Sequence, residues 1–294
     1  MMNGFVVLDK GEGLTSFQAA SCVKRIYEQK KAGHTGTLDP MATGVLPVAL
    51  GRATRFIDFL PDADKSYLAR LRFGVTTDTL DITGKVLSQK NVTVSEEQVC
   101  AALPAFCGEI MQVPPMYSAV SVGGQRLYAL ARKGIEVERQ ARPVTVYELE
   151  LTNVCENGEF EISVSCSKGT YIRSLIADLG ETLGTGAVMT ALRRTAANGF
   201  TVENAFTEEA LRADPAAALL PFDLPFGAYG SVTVTEKQAL RFANGGALAA
   251  DRLKEDLLPG RYRVYSPAGV FLGLGEFQTG QESALRVLRV SGDV

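Results

Sequence analysis

The segment formed by residues 33–44 constrains this chain more than any other part of its sequence. Three glycines and Pro40 prevent it from forming a regular helix or strand. His34, the only histidine of the chain, lies five residues before Asp39. Because Asp39 precedes Pro40, its backbone is pushed toward extended geometry. We therefore expect Asp39 on a bent, stiff loop, where its carboxylate could act as a nucleophile, a general base or a metal ligand.

The size and composition of the chain predict a globular protein without a membrane-spanning helix. With 294 residues, 46% of them apolar, the chain is long enough for one large domain or for a large and a small one. It has no run of about 18 apolar residues, and its N-terminus does not resemble a signal peptide. Its five cysteines form no C-x-x-C pair, which favours reduced thiols over disulfides or zinc ligands. We expect a cytoplasmic location.

The charge of the chain is unevenly distributed. A net charge of −3 by itself argues against a nucleic-acid partner. Residues 121–145 nevertheless contain five basic and two acidic side chains, whereas residues 201–225 contain one basic and five acidic side chains. The basic segment can bind phosphates on an acidic protein, or it can be an ordinary solvated loop. Composition leaves both interpretations open.

Hydrophobic periodicity predicts an α+β fold. Strands outnumber helices and occur in groups that favour antiparallel pairing over a doubly wound sheet. The predicted helices begin near Thr15, Ser95, Tyr171 and Thr235, and the first runs to about Lys31 with Phe17 on its apolar face. The predicted strands span residues 4–9, 67–75, 144–154, 160–166, 261–265, 270–277 and 284–290.

A stretch with two prolines and two glycines at residues 221–230 is typical of a linker. It divides the chain into a larger domain, residues 1–224, and a smaller β-rich module, residues 225–294.

Arg173 is an unusual charged residue outside the glycine-rich loop. It lies in the first turn of a predicted helix, where the helix dipole favours acidic side chains. A buried carboxylate or a phosphate would explain this position. The chain has no G-x-x-x-x-G-K-[ST] or G-x-G-x-x-G pattern, and no G-x-S-x-G elbow for His34 to serve as base. Taken alone, His34 and Asp39 also suit an ordinary turn.

Five sets of residues, in this order, resemble the motifs of the TruB family, the tRNA pseudouridine(55) synthases. They are GHTGTLDP at 33–40 with ATGVL at 42–46, KSY at 65–67, VPPMYSA at 113–119, GTYIRSL at 169–175 and LRRT at 192–195. The resemblance covers residues 4–199 without a departure in the catalytic motifs, and it weakens after Pro225. It implies a pseudouridine synthase fold with a mixed, mainly antiparallel central sheet flanked by helices, and a small β-rich PUA-like C-terminal module that binds RNA.

The resemblance implies an isomerase that converts uridine 55 in the tRNA T-loop to pseudouridine, without a metal or other cofactor. Asp39 is then the essential carboxylate, through attack on the ribose C1′, attack on the uracil C6 or a glycal route, and Arg173 keeps it ionised. Tyr67 would stack on the uracil and take part in proton transfer. The target base must be flipped out of the folded tRNA, and His34 would fill the vacated space. Leu192 would pack against the bound base.

The resemblance also implies how the RNA is held. Lys65 and Tyr171 would contact the substrate, and a mobile thumb loop at about residues 120–143 would close on the T-arm. Its phosphate contacts would come from Arg126, Arg132 and Lys133. We expect a monomer that requires no protein partner and binds no membrane.

Two other classes of function stay open on the sequence. One is an RNA-binding or tRNA-folding protein whose chemistry is incidental, which an Asp39→Asn variant would distinguish. The other is a carbohydrate hydrolase with paired carboxylates. The sequence does not favour this class, because it shows no second acid beside a motif. The nearby candidates, Asp78 and Asp81, lie in a stretch that resembles a solvated turn.

Overall fold

A mixed β-sheet flanked by helices forms the larger part of the structure, which is a computed structural model that describes residues 3–61, 64–280 and 283–292. The elements of this part are β1 (Gly4–Lys10), α1 (Ser16–Ile26), β2 (Ala32–His34), β3 (Thr43–Leu50), β4 (Lys65–Phe73), β5 (Val75–Thr77), β6 (Val86–Gln89), α2 (Glu96–Ala102), β7 (Gly108–Gln112), β8 (Ser121–Val122), β9 (Gln125–Arg126), α3 (Leu127–Ala131), β10 (Arg142–Val154), β11 (Phe160–Cys166), α4 (Ile172–Thr182), β12 (Ala187–Ala197), β13 (Phe200–Thr201) and α5 (Glu208–Ala213).

The central sheet has the strand order β1–β3–β12–β4–β11–β10–β7, with β2 paired to β3 and β13 paired to β12. Its strand pairs are antiparallel except that β12 runs parallel to β3. This sheet matches the predicted mixed, mainly antiparallel sheet. β12 lies between β3 and β4, so a strand late in the sequence separates two early ones.

Gly44 permits the close approach of β12 to β3. Its φ is +99°, a conformation that favours glycine. A Cβ at this position would lie 2.2 Å from the carbonyl oxygen of Arg194. A larger residue at position 44 would therefore push β12 away from the glycine-rich loop.

Helix α1 begins as predicted but ends earlier and faces a different way. Thr15 and Gln18 form a reciprocal capping box at its start. The helix ends at Ile26 rather than near Lys31, because Glu28 adopts a left-handed φ of +51°. The prediction that Phe17 faces the core is wrong, since its side chain is 76% exposed.

Two other predicted segments differ from the structure. The strand predicted over residues 67–75 runs from Lys65 to Phe73, and Gly74 breaks it with a φ of +83°. The glycine-rich segment is not wholly irregular, because Ala32–His34 forms a short strand against β3. The remaining predicted strands and helices are present within one to three residues of their expected bounds.

The C-terminal module is a second, smaller sheet with one helix packed on it. Its strand order is β14–β16–β17–β18–β15. Its elements are β14 (Gly230–Thr233), α6 (Glu236–Ala243), β15 (Leu248–Ala249), β16 (Gly260–Tyr265), β17 (Phe271–Gln278) and β18 (Ala284–Val290). This confirms the predicted β-rich module.

The segment between the two sheets is packed rather than a free linker. Phe226, in the middle of residues 221–230, is fully buried. The ring of Phe222 lies 4.8 Å from that of Phe56 in the larger part, and 5.5 Å from that of Phe271 in the module. The aromatic side chains therefore join the two sheets through a shared apolar seam, which the glycines and prolines of this stretch do not reveal.

Candidate active site

The loop that carries Asp39 is fixed by the elements around it. The Ser16 hydroxyl, at the start of α1, accepts a hydrogen bond from the backbone N–H of Leu38 (2.7 Å) and lies 3.1 Å from its carbonyl oxygen. The carbonyl of Pro40 accepts from the Gly13 N–H (2.8 Å) and the Lys10 ammonium (3.2 Å). Asp39 is thus held from both sides, as its position before a proline predicted.

Asp39 is paired with Arg173 in a two-pronged ion pair. Arg173 Nε lies 2.9 Å from Asp39 Oδ2, and its Nη2 lies 3.2 Å from Asp39 Oδ1. The arginine is 4% exposed, whereas the Asp39 side chain keeps 32% of its surface exposed. The unusual position of Arg173 in the first turn of α4 is therefore explained by a carboxylate partner.

Arg173 also binds two backbone carbonyls and a second acid. Its guanidinium donates hydrogen bonds to the carbonyls of Thr79 and Tyr117, and both donor–acceptor distances are 2.9 Å. Its Nη1 lies 3.7 Å from Asp81 Oδ2. The guanidinium is thus fixed by groups from three separate segments of the chain, and its orientation toward Asp39 is set before any substrate arrives.

Asp81 is a site residue that the sequence did not reveal, and the expectation that it lies in a solvated turn is wrong. Its side chain is 7% exposed. Oδ1 accepts from the hydroxyl of Thr79 and from the hydroxyl and N–H of Thr83. Asp78, three residues earlier, accepts from the Lys85 N–H near the surface. The threonines two residues before and after Asp81 are the signal that could have marked it as a buried acceptor.

The electrostatics of Asp39 reflect opposing effects. Burial raises the pKa of its carboxyl above the ordinary value, and the Asp81 carboxylate raises it further, whereas the Arg173 guanidinium and the Lys10 ammonium lower it. Lys10 is fully buried, and burial lowers its own pKa to about 8. The carboxylate therefore depends on its cationic neighbours to remain ionised.

Tyr67 lies in β4, next to the loop that carries Asp39. It is 6% exposed and belongs to the same buried cluster as Leu38 and Leu192. Burial raises the pKa of its phenol to about 12, with the Arg194 guanidinium acting in the opposite direction. Tyr67 is thus a protonated phenol at neutral pH, set beside the loop that carries Asp39.

His34 and Lys65 flank the same loop. Burial and the nearby Arg194 guanidinium lower the pKa of His34, so its imidazole is neutral at physiological pH. Its Nδ1 is buried without a hydrogen-bond partner among the described residues. Lys65 opens β4, and its Cε would lie 3.4 Å from a Cβ placed on Gly36. Both side chains therefore border the segment between β2 and Asp39.

Three family models match successive parts of this chain. Residues 24–172 match the TruB family pseudouridylate synthase N-terminal domain, and residues 173–219 match the tRNA pseudouridylate synthase B C-terminal domain. Residues 230–288 match the C-terminal region described as pseudouridine synthase II TruB. The chain is 44% identical to a tRNA pseudouridine synthase B of Methylobacillus flagellatus, over 99% of this chain and 97% of that protein.

The chain belongs to the TruB family. It is also 45% identical to a tRNA pseudouridine synthase B of Escherichia coli (strain K12), over 94% of this chain and 91% of that protein. Among solved structures, it resembles a chain of a Cbf5–Nop10–Gar1 complex with a TM-score of 0.74 and 27% identity, over 98% of this chain and 84% of that one. This likeness confirms the predicted pseudouridine synthase fold.

In this TruB family member, the end of β7 and the segment that follows it are attached to the start of α4. The side-chain amide of Gln112 accepts from the Tyr171 N–H (2.7 Å) and donates to its carbonyl (3.1 Å). The Ser174 hydroxyl donates to the carbonyl of Val113 (2.9 Å). Together with the Arg173 bond to Tyr117, these contacts hold residues 112–117 directly beside the Asp39 ion pair.

The basic residues predicted to bind phosphate lie farther along the chain, within residues 120–143. Arg126, Arg132 and Lys133 are all exposed, on and after the β8–β9 hairpin. Arg126 donates to the carbonyl of Ala119 (3.1 Å), and the Arg132 guanidinium lies 5.8 Å from the ring centroid of Tyr128. They form an exposed basic surface rather than part of the buried ion-pair network.

Among the residues that the structure describes, no cluster of His, Cys, Asp and Glu side chains could hold a metal ion. Within the same residues, no helix is both long and apolar enough to cross a membrane.

Proposed function

We propose that this chain isomerises uridine 55 in the T-loop of tRNA to pseudouridine, with Asp39 as the carboxylate that reacts with the substrate. The observation that carries this proposal is the Asp39 carboxylate held by two bonds from Arg173, on a loop inside the segment that matches the TruB family. The relatives named tRNA pseudouridine synthase B support tRNA as the substrate class.

The reaction is an isomerisation that conserves all atoms. The bond between N1 of uracil and C1′ of ribose breaks, the base turns, and a bond forms between C5 and C1′. A proton leaves C5 and N1 gains one, so no oxidant or reductant is consumed. Asp39 can attack C1′, attack C6 of the uracil, or act as the base of a glycal route. Each route requires the ionised carboxylate, which Arg173 supports.

The remaining pocket residues have roles in binding and turning the base. We propose that Tyr67 stacks on the uracil and takes part in proton transfer, and that Leu192 packs against the base. His34 stacks in the space that the flipped nucleotide leaves. The neutral state of its imidazole supports this mechanical role, because a neutral ring stacks without bringing an unpaired charge.

Binding of the T-arm involves the outer residues. We propose that Lys65 and Tyr171 contact the RNA near the reacting nucleotide, and that Arg126, Arg132 and Lys133 bind phosphates as the thumb closes. The exposure of these three side chains supports this role, because phosphate contacts are made at the surface.

The domain organisation belongs to the same proposal. Residues 1–224 form the catalytic domain, with the thumb at about 120–143, and residues 225–294 form a PUA-like module that binds RNA. We propose a cytoplasmic monomer without a protein partner. The cysteines of the described residues carry free thiols, which supports a reducing compartment such as the cytoplasm.

The test uses an unmodified tRNA transcript and the purified chain. Pseudouridine is mass-silent, so it is mapped by carbodiimide labelling and primer-extension stops. We expect one new stop at uridine 55, its loss in Asp39→Asn, and tRNA binding by this variant within threefold of the wild type. The matched control is Asp58→Asn, an exposed carboxylate outside the site, which keeps the stop. Tight binding without a stop in the wild type would favour the RNA-binding alternative instead.

A further inference from the structure

Arg194 is the largest fully buried side chain of the molecule's described residues, and it has no carboxylate partner among them. An unpaired guanidinium in the interior carries a large desolvation cost, and an apolar residue of similar volume would fill the same space without it. The position of Arg194 in β12 is therefore explained only by the groups to which it donates hydrogen bonds.

The carbonyls bound by Arg194 lie on both arms of the Asp39 loop. Its Nη2 and Nη1 donate to the carbonyls of Gly36 (3.2 Å) and Thr37 (3.5 Å), which precede Asp39. Its Nε donates to the carbonyl of Val45 (2.7 Å), which follows it. One planar guanidinium thus ties the two arms of the loop together, a geometry that the single charge centre of lysine cannot reproduce.

The same guanidinium lies beside Tyr67. Tyr67 and Arg194 are partners in the register between β4 and β12, and the Arg194 guanidinium acts on the phenol by lowering its pKa against the effect of burial. Arginine has only donors, so in a hydrogen bond between these two side chains the Tyr67 oxygen is the acceptor. Such a bond leaves the proton of the Tyr67 hydroxyl free for a different group.

We propose that Arg194 is a positioning residue for the reaction. It fixes the two arms of the Asp39 loop to β12, and it donates a hydrogen bond to the Tyr67 oxygen, so that the phenol donates its own hydrogen bond to the bound uridine. This inference rests on the proposed function, since it assigns the hydrogen-bond donor of the same site. Arg194 itself touches no substrate atom and acts through the loop and through Tyr67.

The test compares substitutions at two adjacent positions of β12. Arg194→Lys keeps the charge but not the fork of donors. Arg193→Lys is the matched control, because Arg193 binds Asp9 instead (2.8 and 3.0 Å) and its side chain is 40% exposed. Single-turnover rates, tRNA dissociation constants and unfolding curves are measured for both variants, for Tyr67→Phe and for the Arg194→Lys/Tyr67→Phe double variant.

We expect Arg194→Lys to lower the single-turnover rate by about 10²-fold, the size expected when a reacting group is displaced by about 1 Å. The tRNA dissociation constant should stay within threefold, and Arg193→Lys should match the wild type. In the Tyr67→Phe background, Arg194→Lys should cost at least threefold less, because part of its effect passes through the missing hydroxyl. A merely structural role for Arg194 would give the same factor in both backgrounds.

Three results would overturn the inference: an unchanged rate in Arg194→Lys, independent factors in the double variant, or a weakened tRNA affinity that accounts for the whole loss. If Arg194→Lys does not fold, neutron diffraction of the deuterated wild type decides. The Tyr67 hydroxyl deuteron should point away from Arg194 into the pocket, and a deuteron bonded to a backbone carbonyl would refute the assignment. A wild type that is inactive on tRNA would instead refute the proposed function. The two failures are distinguishable, because the inference is judged only from rates relative to an active wild type.

Discussion

Replacement of Arg173 by lysine tests the central ion pair most directly. The guanidinium makes two contacts to Asp39, two to the carbonyls of Thr79 and Tyr117, and one to Asp81. An ammonium has three N–H donors and no fixed plane, so at least two of these contacts are lost. Hydrogen bonds to charged groups each contribute about 1.5–3 kcal/mol.

The structure therefore gives a magnitude for this substitution. Loss of one of the two bonds to Asp39 should slow the single-turnover rate by roughly 10- to 10²-fold, since each 1.4 kcal/mol is a factor of ten. The free energy of unfolding should fall by about 3 kcal/mol, because carbonyl and carboxylate acceptors around position 173 lose their donors.

The rate is measured with excess enzyme on a tRNA transcript, and the unfolding free energy by denaturant titration. Arg70→Lys is the matched control, because the Arg70–Glu161 pair lies at the surface with an arginine side chain 50% exposed. An exposed pair of this kind contributes little to stability, because water screens it. A turnover rate of Arg173→Lys within threefold of the wild type would refute the role given to the ion pair.

Three further measurements follow from the described geometry. Burial raises the pKa of Asp39, so the acid limb of the kcat/KM profile should lie above the pKa of an ordinary aspartate. Asp81→Asn removes a like charge and should move that limb to lower pH. A shift to higher pH would contradict the assignment. The affinity for tRNA should fall steeply with salt, and Arg132→Gln should reduce the slope of log Kd against log salt by about 1, which filter binding at several ionic strengths checks. Phe226→Ala should lower the unfolding free energy by about 3–5 kcal/mol, whereas Phe17→Ala, at an exposed position, should change it little; equal effects would show that the seam is not tightly packed.

The sequence predicted the part of the site that local rules can reach. Asp39 stands before a proline, and Arg173 occupies a helix position that the dipole disfavours, so each is conspicuous within a few residues of chain. Their contact is present in the structure. The apolar and polar residues of β4 alternate, and this alternation puts Tyr67 on the buried side of the strand.

The rest of the site depends on packing between distant segments. Asp81 appears polar and exposed in its own sequence, and the Arg173 guanidinium that faces it comes from the distant helix α4. Arg194 stands in a strand whose neighbours, β3 and β4, are set by the topology of the sheet. Phe222 and Phe226 lie in a stretch whose prolines and glycines predict a linker, yet the C-terminal module covers them. Contacts between segments so distant in the sequence cannot be predicted from local residue patterns.

The insertion of β12 between β3 and β4 has a consequence for how the protein forms during synthesis. Asp39 and Arg173 are 134 positions apart, and at about 5–20 residues per second the ribosome needs roughly 7–27 s to make the chain between them. At the end of that interval β3 and β4 have been synthesised, while β12, the strand that lies between them, is still untranslated. Their unpaired edges are then open to wrong partners. We expect the N-terminal half to be most prone to aggregation while it is nascent, and competence to react to arise late and all at once, when residues 187–197 complete the sheet.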